Sequence, residues 1–179
     1  MQAMNGRNTR GCLLALAALM FGLGSASGAD TSPAARIKIA VFNFELDDLT
    51  PAAALLNQAT SDQQALDKAS AAARQQLADS GRYEIVDVSK ADGTAVKTRA
   101  LRDCDGCEAA LARELGADQS LIGIVRRATQ TDYYVVLLIR DAKTGKPLDE
   151  QSANFAGGPE GWASGTRMLI KHQVLVSQD

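Results

Sequence analysis

IKIAVFNF, residues 37–44, is apolar on both pleat faces apart from Lys38 and Asn43. A strand of that kind needs cover on both sides, as the central strands of α/β sheets have. Beyond it the pattern changes period. Ser61-Asp62-Gln63-Gln64 matches a capping box, and Leu66, Ala69, Ala73, Gln76 and Leu77 then share one side of a helix over 62–79. Gly81 stands where a glycine ends a helix, and YEIVDV (83–88) reads as the next strand. Strand, helix, strand in this order implies a right-handed parallel crossover.

Between these blocks, Thr50-Pro51 is a good N-cap and first-position pair, so a short helix is expected over 51–58. Residues 89–103 are polar and read as irregular. Asp105-Gly106-Cys107-Glu108 starts a helix that runs to about Leu115 and stops at Gly116. Residues 119–127 (QSLIGIVRR) and 132–141 (DYYVVLLIRD) read as strands joined by a turn near 129–131. The apolar run 132–139 is expected to be buried on both faces. The loop DAKTGK (141–146) is a hairpin connection with Gly145 at a positive-φ position. The strand 148–156 is polar on both faces and is expected at an edge. Gly157-Gly158-Pro159 breaks it, and 161–175 forms a last helix with Trp162 closing the core. The expected class is α/β, one mixed sheet in the order β-α-β-α-β-β-β-α, with helices packed on it.

The first 29 residues have the grammar of a secretory leader. Arg7 and Arg10 form a basic start, GCLLALAALMFGL (11–23) is apolar but short for a membrane span, and small residues fill 24–29. Cleavage is expected at or just before Ala29. A tether over 30–36 and a single domain over 37–179 then follow, in a periplasmic, disulfide-permissive compartment. The chain has 19 Lys+Arg and 21 Asp+Glu; without Arg7 and Arg10 the balance is 17 to 21, a net charge of −4. That charge leaves no electrostatic footprint for nucleic acid. Cys12 would leave with the leader. Cys104 and Cys107 remain, and an even count in an oxidising compartment reads as one disulfide.

The succession IAVFNFEL, SGRYEIVD, CDGCEAALARELGAD, IGIVRR and LLIRDAKTGK resembles an uncharacterised family of small exported proteobacterial proteins, a domain of unknown function. More distantly it is similar to the α/β domains of the TolB amino-terminal region and of the curli-secretion lipoproteins. The resemblance covers roughly 37–175. It implies an α/β fold and a non-enzymatic place in a cell-envelope assembly. The lipidated cysteine and membrane-inserting hairpins of the curli pore are missing here, so pore formation is not implied.

Two features carry candidate chemistry. Cys104-Asp105-Gly106-Cys107 lies at a helix start, where unpaired N–H groups stabilise a thiolate. The pair reads either as a structural staple or as a redox site. Glu108 stands where haem attachment needs His, and no second CxxC completes a zinc site. Glu45, Asp47 and Asp48 follow the first strand, where α/β sheets hold ligands, and offer hard oxygen donors for a cation such as calcium. They also precede an expected helix start, which favours acids without a ligand. Gly157-Gly158-Pro159-Glu160-Gly161 matches no phosphate-binding fingerprint, and His172, the only histidine, has no identifiable catalytic partner. No catalytic set and no cofactor are expected. The leading expectation is a non-enzymatic binding or accessory module for an envelope partner or ligand. The alternatives are a thiol-disulfide or electron-transfer accessory using Cys104 and Cys107, and a metal or small-ligand carrier using the acidic residues.

Overall fold

The computed structural model describes residues 35–50 and 60–176. The expected leader, most of the tether and the helix expected over 51–58 lie outside the described residues. The strands are β1 (Ile37–Val41), β2 (Glu45–Asp48), β3 (Tyr83–Val86), β4 (Gln119–Arg127), β5 (Asp132–Asp141) and β6 (Pro147–Ala156). The helices are α1 (Thr60–Asp79), α2 (Thr94–Lys97), α3 (Cys107–Glu114) and α4 (Trp162–Leu169), the last continued by a π-helical turn over Ile170–Val174. Short 3-10 turns occupy Leu101–Asp103 and Pro159–Gly161.

All six strands join one mixed sheet in the order β3-β1-β4-β5-β6, with β2 also pairing β4. Three pairings, β1 with β3, β1 with β4 and β2 with β4, are parallel. The β4-β5 and β5-β6 pairs are antiparallel. From β1 the chain crosses through α1 to β3 on one side, then returns through α3 to β4 on the other. Steps in opposite directions with one handedness put the two helices on opposite faces. The cores agree. Ile39, Val41 and Leu121 pack with α1 and α4, while Ala40, Phe42 and Ile122 pack with α3 and the 3-10 turn at Leu101.

The alanines of α1 let it lie close to the sheet. Ala65, Leu66, Ala69, Ala73 and Leu77 are all buried, at the helical spacing of one face. Trp162 fills the far corner beneath α4, 6.4 Å from the Tyr133 ring, with the Arg127 guanidinium 5.3 Å from its centroid. Gly81 and Gly145 sit at φ 70° and 71°, as the helix end and the hairpin require.

Besides the stretch 89–103, which holds α2 and a 3-10 turn where irregular chain is expected, two expectations need correction. The first strand does not run unbroken over 37–44. Val41 pairs with Leu121 and Glu45 with Ile124, so four residues advance on one side against three on the other. This one-residue excess is a β-bulge, and β2 follows it. Past the bulge the alternation is inverted: Phe44 and Leu46 join the α1 face where Ile39 and Val41 did, and Glu45 turns to the opposite face. Phe44 lies flat over Gly123, where any Cβ would collide with its ring. Backbone groups at the bulge find partners on α1 and nearby. Phe44 N–H donates to Ser70 Oγ (2.8 Å), Val41 C=O accepts from Arg74, and Phe44 C=O accepts from Arg99 (3.3 Å).

The second correction concerns β5. Tyr133, Val135, Leu137 and Ile139 are buried, but Val136 and Leu138 are only half-buried and Tyr134 is 41% exposed. The helices on the second face cover the β3-β1-β4 half of the sheet. Leu138 reaches that second core, while Val136 and Tyr134 lie outside it. No described helix is long and apolar enough to cross a membrane.

Candidate functional site

β1 sends the chain to one face and its neighbour β3 sends it to the other. The carboxyl ends of these strands therefore form the switch point at which open α/β sheets leave a crevice. A cleft of about 480 Å³ opens there, lined by Asn43, Arg74 and residues 85–89. Arg74 reaches it from α1. Its Nε and Nη2 donate to Val41 C=O at 3.1 and 2.9 Å, and Nη2 also donates to Asn43 Oδ1 at 2.8 Å. Burial lowers the pKa of this guanidinium from its ordinary value. On the rim, Asp87 accepts from the backbone N–H and hydroxyl of Ser89, which hold its carboxyl below the usual range.

The three acidic residues singled out in the sequence do not point to one place. Glu45, 1% exposed, accepts from Leu101 N–H at 2.6 Å and from Arg102 N–H and Nη1 at 3.1 Å. It therefore closes the N-terminal end of the 3-10 turn. Asp47 pairs with Arg126 (2.8 Å) at the solvent edge of the same face. Asp48 turns to the other face, where Arg127 joins it at 3.0 Å and Asp62 of α1 at 2.7 Å. Burial opposes ionisation of Asp48, but the N–H of Thr50 and the Arg127 charge outweigh it and its pKa is lowered. The three carboxylates thus pair with three different arginines, Asp48 sharing Arg127 with Asp62.

Cys104 and Cys107 are joined by a disulfide, with Cα atoms 5.6 Å apart. Both are half-buried against the second core. Beside them Glu108, 1% exposed, lies 2.9 Å from Arg140 Nε, an ion pair in contact but without an aligned hydrogen bond. Arg140 also approaches Asp105 at 3.6 Å and donates to Gly145 C=O at 3.1 Å. Cys104, Cys107 and Glu108 form the one group among the described residues close enough to share a cation. With the sulfurs bonded to each other, such ligation would first require reduction to thiolates. The sequence reading did not find Arg74, Glu108 or Arg140. Only the placement of Arg74 after an alanine-rich stretch, at a position otherwise suited to the core face, hinted at a role.

His172 is exposed on the last helical turn, and Tyr133 Oη donates to Gly161 C=O at 2.8 Å in the glycine-rich turn. Neither joins the cleft.

These features define a mixed α/β domain with a switch-point cleft and a ten-residue last strand, β6, whose outer side no described strand pairs. The chain belongs to the DUF3280 family, described as "Protein of unknown function (DUF2380)", whose family model matches residues 37–174. No curated protein matches it. Solved structures of similar fold include the LpoB C-terminal domain from Salmonella enterica, at 14% identity and TM-score 0.47, covering 71% of this chain and 87% of that one. The lipoprotein GNA1162 from Neisseria meningitidis matches at 16% identity and TM-score 0.48, covering 79% and 99%. TolB from Acinetobacter baumannii matches at 14% identity and TM-score 0.43, covering 80% of this chain and 29% of that one.

Proposed function

We propose that the protein is an exported, non-enzymatic binding module whose cell-envelope partner adds a strand to the outer edge of β6. The observation that carries this reading is the edge itself. β6 is ten residues long and ends the sheet order, so none of the described strands pairs with its outer side. Soluble proteins usually blunt such an edge with an outward lysine, an interior proline or a very short strand. Here proline stands only at the first position and no lysine occurs between 147 and 156; the register shift at Leu148 and the acids Asp149 and Glu150 blunt that end alone, leaving residues 151–156 without such a device. Strand addition supplies affinity through main-chain hydrogen bonds and needs no deep pocket.

A photo-crosslinking side chain at the exposed Ser152 position tests this in cells, with one at Lys68 on α1 as control. The expected result is an adduct with an envelope protein from position 152, lost when Asn154→Lys is added. Equal yields from both positions, or an adduct indifferent to Asn154→Lys, would sink the strand-addition reading. Export belongs to the same proposal: residues 1–29 act as the leader, 30–36 as a tether and 37–179 as the working domain. Intact mass of the periplasmic form should place its first residue near Asp30.

A second reading, thiol exchange, has one favourable observation: Cys107 opens α3, where the helix end stabilises a thiolate. Cys104→Ser should then trap mixed disulfides through Cys107 in cells. A variant recovered free of adducts would leave the bridge as a staple.

A further inference from the structure

The arginines of this domain divide unevenly. Arg99 pairs with Asp67, Arg102 with Glu45, Arg127 with Asp48 and Asp62, and Arg140 with Glu108. Arg74 is half-buried like them, yet it forms no ion pair among the described residues. Its Nε and Nη2 are fixed by Val41 C=O and Asn43 Oδ1, and its Nη1 makes no hydrogen bond within the described residues. Asp67 and Asp87 act on it only through space, so a guanidinium whose hydrogen bonds go to neutral groups keeps donors and charge available to a ligand.

We propose that the cleft at the carboxyl ends of β1 and β3 binds a small, singly charged carboxylate with a short aliphatic body, received by Arg74. The walls select this class. Ile85, Val86 and Val88 supply apolar surface, and Asn43 and Ser89 supply neutral polar groups. One cation faces the cleft while Asp87 stands on its rim, so a dianion such as phosphate meets repulsion that a monoanion meets less strongly. The volume, about 480 Å³, is that of a small-molecule site. The inference goes beyond strand addition at β6 and is independent of it. β1 and β4 separate β3 from the β5-β6 edge, so loss of either function leaves the other testable.

The same carboxylate could be a free small acid or the C-terminus of a peptide, and the probes separate these sources. Backbone amide shifts of the full domain are followed while N-acetyl-leucine, N-acetyl-leucinamide, the tripeptide Ala-Ala-Leu or inorganic phosphate is added at millimolar concentration. The acid should shift Asn43 and residues 85–89, and the amide should not. Loss of the charge pair should weaken binding about tenfold or more, so Arg74→Gln should match wild type with the amide. Tripeptide binding tighter than N-acetyl-leucine assigns a peptide terminus, and the reverse assigns a free acid. The proposal fails if acid and amide behave alike, if phosphate binds more tightly than the acid, or if no shift appears. Should Arg74→Gln lose its fold, the acid-amide comparison on the unaltered protein still decides.

Discussion

The two faces of the sheet are built by different means. On one, α1 and α4 lie on Ile39, Val41, Leu121, Val135 and Leu137 in a continuous apolar layer. On the other, α2, a 3-10 turn and α3 cover only half the sheet, and buried ions and a disulfide supplement a smaller core. Long helices can rely on apolar area, which is non-directional. Short elements bury too little area to fix their own position and leave more unpaired backbone groups per residue. Glu45 and the Cys104–Cys107 bridge supply, by hydrogen bond and covalent link, what area does not.

Neighbouring residues of β5 offer the sharpest way to break this comparison. Leu137, 1% exposed, faces the continuous layer, and Leu137→Asp buries an unpaired charge there. We expect no cooperative thermal transition at neutral pH. A variant that melts near wild type would mean that the α1/α4 layer is not the main source of stability.

Glu45→Ala tests the second face. It strands the N–H groups of Leu101 and Arg102, at a cost of about 1–3 kcal/mol each. Denaturant unfolding should show that loss, and hydrogen exchange should accelerate over 94–104 before the α1 face responds. Uniform acceleration through the whole domain would show that the faces do not differ in local stability.

Replacing both Cys104 and Cys107 by Ser should cost less, because the closed loop is very short; the chain-entropy relation gives about 2 kcal/mol. The variant should stay folded, with faster exchange limited to 89–107 and the start of α3. Collapse of the whole domain would make the bridge a requirement for folding.

The smallest effect is expected at Val136, one residue from Leu137 and half-buried outside both cores. Val136→Asp should cost about 1 kcal/mol or less, since no packed core lies on this side of the strand. Unfolding of this variant would restore the expectation that β5 is covered on both sides. The pair of Asp variants, read by the same thermal melt, measures the asymmetry of a single strand.

Much of this was legible in the residues. The limits of β4 and β5 match the sequence reading because apolar runs there end at Thr129–Thr131 and at the Asp141–Lys146 loop, both local signals. The edge position of β6 followed from its polarity, and the alanine stripe of α1 from its period. The bulge was not legible, since the excess residue is defined only against Leu121 and Ile124 far along the chain. The same limit hid α2 and the 3-10 turn, whose anchor is the Glu45 carboxylate. The apolar run of β5 gave no sign that its second face lacks a helix, because Val136 and Leu138 are apolar whether or not something covers them. Of the candidate residues, Glu45, Asp47 and Asp48 come after β1 but form a strand of their own, β2, rather than standing at the open end of the first. Their divergence onto two faces came from the bulge, and Arg74 acquired its position from the carbonyl of Val41.

The bulge at 42–44 also works as a frameshift in the strand's alternation. Upstream of it, odd-numbered residues read toward the long helices; downstream, even-numbered residues do. Deleting a single residue there would keep every pairing partner within reach yet transpose the meaning of ELDD. Glu45 would be presented to the alanines of α1, Leu46 to the backbone of the 3-10 turn, and Asp48 would leave Arg127 to Asp62 alone. One inserted amino acid thus sets the phase for a whole strand, and a chain carrying the same composition without it would spell a different protein surface.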